Sequence, residues 1–184
     1  DMTSSVPTGS DPSSALTLWL PPLTQEDPVG GRMIRRGGAD LTLQSNLDLN
    51  RGSLTIGTQA TITVDPGRTI ALRSPGQISV DGRLTAAGGQ IDIRQIGGSG
   101  DPYVGARSIW LGDNAVLDVA GRSAVAVDRF GRRYGFADAG GRIILGDDSD
   151  APGAIAPAGS GFVIVRRGAR LDASGTSAVI DFVE

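Results

Sequence analysis

Between Leu41 and Ile93 the chain repeats one short phrase: an aliphatic residue, a polar or small one, a second aliphatic residue, then a polar or glycine break. The phrases are Leu41-Thr42-Leu43, Leu47-Asp48-Leu49, Leu54-Thr55-Ile56, Ile62-Thr63-Val64, Ile70-Ala71-Leu72, Ile78-Ser79-Val80 and Ile91-Asp92-Ile93, with Leu84-Thr85-Ala86 as a weaker member. Apolar residues at every second position are strand periodicity, two side chains on one face and the middle one on the other. Strands this short cannot hold a sheet alone, so the pattern predicts stacking on copies of themselves, as in a solenoid.

Successive phrases start 6, 7, 8, 8, 8, 6 and 7 residues apart. Three steps carry Leu41 to Ile62, Leu54 to Ile78 and Ile62 to Leu84, which predicts an all-β fold: a parallel β-helix with about three short strands per coil. About seven such coils would make a rod roughly 30 Å long at the interstrand spacing. The rival architecture is an antiparallel sandwich, whose strands usually run to about five or six residues, longer than the phrases here.

The chain divides into an arm and a repeat region. Residues 1–38 are rich in Ser, Thr, Pro and Gly and read as an irregular arm or N-terminal cap, with Leu16–Leu20 as a possible capping strand. Residues 39–184 form the expected β-helix domain, with insertions at 97–107 and 122–141. Beyond the first, strands are predicted at Ser108–Gly112, Val116–Val119, Arg142–Gly146, Gly161–Val165, Leu171–Ala173 and Val179–Phe182. Asn114–Gly121 aligns with Gly168–Gly175, and Val80–Gly88 is a looser third copy. Each places a Leu inward, an Asp or Thr outward and a Gly at a corner, where φ > 0 is often needed. The Asp residues of these copies read as turn and solvent-face chemistry. Both termini leave the pattern unfinished, and the chain reads as a piece of a longer protein.

The second insertion reads as a hairpin that leaves the stack. Val125–Val127 and Tyr134–Phe136 flank Asp128–Arg133, with the turn near Gly131. It holds half of the six Phe and Tyr residues of the chain. Arg129, Phe130, Arg132, Arg133 and Tyr134 are the candidate ligand contacts, because Arg and aromatic residues are the common anchors of recognition. The plain alternative is a loop that packs its aromatics on the adjacent coil.

Composition narrows the chemistry. The 184 residues include 17 basic residues, all Arg, with a net charge of −3 and no His or Cys. That excludes a His acid or base, a Cys nucleophile and a Cys/His zinc site. No basic face for nucleic acid is expected. No stretch reaches about 18 consecutive apolar residues, so no membrane span is expected. Gly146-Asp147-Asp148-Ser149-Asp150 matches no established calcium loop and reads as a solvated turn. Gly97-Gly98-Ser99-Gly100 lacks the Lys and following helix of a phosphate cradle. No cofactor is expected, and the reading is non-enzymatic.

The coils, above all the stretches RSIWLGDNAVLDVAG and GFVIVRRGARLDASGTSAVIDF, resemble the filamentous haemagglutinin family of exoproteins. The resemblance covers roughly Ala39 to Glu184. It implies a right-handed parallel β-helix, two-partner secretion by a Gram-negative bacterium, a location on the cell surface or outside it, and a role in adhesion and virulence. The implied partners are a host or bacterial surface glycan or protein. The family's secretion domain carries an Asn-Pro-Asn-Gly/Leu type motif, and no Asn-Pro occurs here. The segment therefore resembles the fibre shaft, and the parent's outer-membrane transporter would be engaged by another part. Because β-helices also host polysaccharide-active enzymes, a polysaccharide-binding or polysaccharide-cleaving domain is the alternative.

Overall fold

A computed structural model describes residues 22–45, 52–96, 108–147 and 162–181. The described chain is all-β. Two strands, β1 (Thr24–Asp27) and β2 (Arg32–Arg35), precede the repeats. The first tier is β3 (Leu41–Gln44), β4 (Leu54–Ile56) and β5 (Thr61–Thr63). The second is β6 (Thr69–Ser74), β7 (Ile78–Val80) and β8 (Arg83–Thr85). The third is β9 (Gln90–Gln95), β10 (Ser108–Leu111) and β11 (Val116–Asp118). A hairpin follows, β12 (Ser123–Val127) and β13 (Arg133–Ala137). The fourth tier is β14 (Arg142–Asp147), β15 (Phe162–Val165) and β16 (Arg170–Asp172).

Equivalent strands of successive tiers pair in parallel. The result is three four-stranded sheets, ordered β3-β6-β9-β14, β4-β7-β10-β15 and β5-β8-β11-β16. Leu54 lies beside Ile78, Ile62 beside Leu84 and Ile70 beside Ile91, as the spacing predicts. Leu41 does not pair with Ile62; it pairs with Ile70. Spacing alone weighs every aliphatic phrase as a strand, and Leu47–Leu49, counted that way above, lies outside the described residues. The described residues make four tiers where about seven coils were expected, because insertions and longer connections separate the later strands.

The core lies where the three sheets face one another. Ile70, Leu72, Ile78, Val80, Leu84, Ile91, Ile93, Leu111 and Leu117 are fully buried in one cluster, with Ile109 almost so. Each row continues from tier to tier, as in Leu43–Leu72–Ile93–Leu145. Burying one such side chain is worth about 1.5–3 kcal/mol before entropy is counted. At the end of the first sheet the inward row turns polar and stays satisfied. Ser45 and Ser74 share a hydrogen bond of 2.9 Å, the Ser74 hydroxyl donates to the Gly52 carbonyl at 2.7 Å, and Gln95 Nε2 donates to the Gly76 carbonyl at 3.0 Å.

Corners are tied across tiers by Asp. The Asp81 carboxylate accepts from the Thr58 hydroxyl at 2.8 Å and from the Asn114 backbone N–H at 2.9 Å, linking three tiers. Asp118 and Asp172 accept from the backbone N–H two residues on, so they are turn residues. The corner glycines have two different causes. Gly88 has φ of 60°. Gly121 is required by close approach, since a Cβ there would run into the Asp138 carbonyl.

Two expectations change. The arm is not irregular where it is described: β1 and β2 form an antiparallel hairpin in which Asp27 accepts from the Gly30 N–H at 2.9 Å. Its strands alternate no apolar residues, so periodicity misses them. Val179–Asp181 is not a strand; the Asp181 N–H donates to the Arg133 carbonyl at 2.9 Å, which holds this segment beside β13. The insertion at 97–107 and the phrase Leu16–Leu20 lie outside the described residues.

Leu117→Ala should cost about 2–5 kcal/mol, because its partners on both sides cannot collapse into the gap. Leu171 sits in the same row but is 41 % exposed on the last tier, so Leu171→Ala should cost clearly less. Urea unfolding of the two variants checks this, and equal losses would contradict the placement of Leu171 at an open end.

Candidate functional site

The second insertion folds into the expected hairpin. β12 and β13 pair antiparallel from Ser123 opposite Ala137 to Val127 opposite Arg133. Their alternation separates two faces. Ala124, Ala126, Tyr134 and Phe136 take one, while Val125 and Val127 point to solvent on the other. The turn is built by Asp128. Its Oδ1 accepts from the backbone N–H groups of Phe130 at 2.8 Å and Arg132 at 2.9 Å, and its Oδ2 accepts from Arg132 Nε at 2.9 Å. Gly131 closes the turn at φ of 79°, a conformation that favours glycine.

Three other segments brace the hairpin. Arg35 of β2 lies 3.6 Å from the Phe136 ring centroid and pairs with Asp138 at 3.0 Å. The Arg129 N–H donates to the Pro28 carbonyl at 3.4 Å, joining the two hairpin turns. Asp181 accepts from the Arg133 backbone N–H at 2.7 Å and pairs with its guanidinium at 3.0 Å.

The five candidate residues therefore divide. Arg129, Phe130 and Arg132 come together at the tip. Phe130 is 66 % exposed, with the Arg129 guanidinium 4.6 Å and that of Arg132 5.1 Å from its ring centroid. Stacking of this kind at exposed sites is worth about 0.5–1 kcal/mol, weak enough for a ligand to rearrange. Arg132 is held by Asp128, whereas Arg129 has no carboxylate partner among the described residues. Its N–H edge is open to a carboxylate or sulfate. Arg133 is turned aside to Asp181. Tyr134 is buried on the opposite face, and its hydroxyl has no hydrogen-bond partner there. Burial first, and then the charges of Glu26, Asp27 and Asp128, push its phenol pKa upward.

Val29, exposed on the turn between β1 and β2, is a neighbour of the tip that periodicity does not reveal. Its only sequence signal is the Asp27-Pro28 and Gly30-Gly31 turn chemistry, which does not say which two turns meet. Among the described residues no group of three or more His, Cys, Asp or Glu is placed to hold a metal ion. No helix among the described residues is long and apolar enough to cross a membrane. The chain matches no protein-family model, no curated protein and no solved structure.

The backbone N–H of Arg132 first, with that of Phe130, lowers the pKa of Asp128; those of Arg133, backbone and then side chain, lower that of Asp181. A lowered folded pKa adds stability that is complete above the unfolded value of about 3.9 and is lost as pH falls through the folded value. The hairpin should thus keep its turn at pH 4 and lose it at lower pH. Amide chemical shifts of Phe130 and Arg132 should titrate together, and Asp128→Asn should abolish their step but not that of Arg133. Titration at the ordinary aspartate value would contradict this geometry.

Proposed function

We propose that the three parallel sheets wrap into a right-handed parallel β-helix, and that the chain is a shaft segment of a secreted surface exoprotein of the filamentous haemagglutinin type. Its work is mechanical and adhesive: the stacked tiers give reach, and the side hairpin meets a host or bacterial surface glycan or protein. The segment is non-enzymatic, and the parent's outer-membrane transporter engages another region. The setting is the surface or surroundings of a Gram-negative bacterium.

The observation that carries this reading is the exposed Arg129–Phe130–Arg132 stack on a hairpin braced beside parallel tiers. A second observation supports it. The two stretches that carry the resemblance lie one upon the other, Ile109 beside Val163 and Leu117 beside Leu171. Repeats that stack in register are what a shaft built by duplication requires.

An array of host and bacterial surface polysaccharides and proteins tests the reading, with the chain compared to a variant carrying Arg129→Gln and Phe130→Ala. Neither side chain is needed for the turn, which Asp128 and Gly131 make, so the variant should fold. Binding by the chain and at least tenfold weaker binding by the variant is the expected result. Sugar release from any spot would overturn the non-enzymatic reading, and undiminished binding by the variant would remove the tip from it.

A further inference from the structure

Beside the hairpin, two adjoining hollows open between β1–β2, the corner after β5 and the start of β12. Their volumes are about 330 and 170 Å³, and they share Leu23, Arg36, Pro66 and Arg122. The larger is near the lower end of the range for small-ligand sites, about 300–1,000 Å³. Three arginines line the hollows, Arg36 and Arg122 in both and Arg35 in the smaller. Arg35 is neutralised by Asp138 and Arg36 by Asp65. Arg122 has no carboxylate partner among the described residues, although its backbone carbonyl accepts from the Asp138 N–H at 2.9 Å. The cleft thus carries one uncompensated positive charge beside two pairs that hold its walls together.

The rest of the lining is mixed in a specific way. Leu23, Pro66 and Phe136 are its apolar residues, while Thr24 in one hollow and Thr63 and Thr85 in the other are its hydroxyl-bearing ones. We propose that this cleft binds a uronic-acid unit of an acidic polysaccharide, its carboxylate on Arg122, its hydroxyls on the Thr rim, and the C–H face of its ring on the apolar wall. An acidic peptide would satisfy Arg122 but leave the hydroxyl rim unused. The site is separate from the hairpin tip and does not depend on the adhesive role given to Arg129 and Phe130.

The probe is trigalacturonate, compared with its neutral methyl ester and with a short poly-glutamate, using calorimetry and amide shifts of Leu23, Ser123 and Phe136. Trigalacturonate should bind and move these shifts, and the ester should bind at least tenfold more weakly. Arg122→Gln should weaken trigalacturonate at least tenfold while leaving the unfolding midpoint unchanged, since the side chain makes no bond within the described fold. Arg129→Gln should leave it within about twofold. Equal binding of the ester, equal binding of poly-glutamate, an unaffected Arg122→Gln variant or no binding at all would each overturn the proposal. Loss in Arg129→Gln with none in Arg122→Gln would move the acidic sugar to the tip, overturning the cleft and leaving the adhesive reading standing.

Discussion

A strand such as β7, Ile78–Val80, brings two side chains to a core and a few backbone groups to each neighbour. Alone it could not repay the roughly 1–2 kcal/mol that fixing each residue's backbone costs. It persists because β4 lies along one edge and β10 along the other, with Val80 set between Ile56 and Leu111. Parallel pairing in one register is therefore the constraint behind everything else. A one-residue slip would turn Ile78 and Val80 to solvent and bring Ser79 into the core. The polar positions obey the same register, which is why one carboxylate, Asp81, can reach Thr58 on one side and Asn114 on the other.

The two hairpins lie beside this frame, and charged pairs hold them there. Arg36 meets Asp65 at a corner of the first tier, and Arg35 meets Asp138 just past β13. These contacts, with Arg35 stacked on Phe136, leave the tip at Phe130 exposed and a cleft beside Arg122. Such pairs contribute little each when exposed. Position is what they supply, since one turn is held against another while the tiers carry the stability.

The strand pattern is legible in the sequence because alternation records which side chains face the core. Leu54, Ile62, Ile70 and Ile78 could be matched to their partners within the repeats, and the hairpin turn at Gly131 could be read from its glycine and flanking alternation. Leu41 could not be matched, because spacing gives every aliphatic phrase equal weight and a fixed count of steps does not lead to its partner, Ile70. The hairpin of β1 and β2 was hidden because its strands, TQED and RMIR, carry no apolar alternation.

The candidate site was half legible. Arg and aromatic residues crowd into 122–141 in plain view, yet local pattern cannot separate Phe130, open to solvent, from Tyr134, buried eight per cent exposed four residues later. That separation depends on β2 covering one face of the hairpin, and on Asp181 capturing Arg133 from 48 residues away. The sequence by itself determined the all-β class, most strand positions and the inward rows, since these follow from local periodicity. Only the tertiary structure decided which phrases share a sheet, which arginines are neutralised and where a cleft opens, since those depend on contacts between residues far apart in the chain.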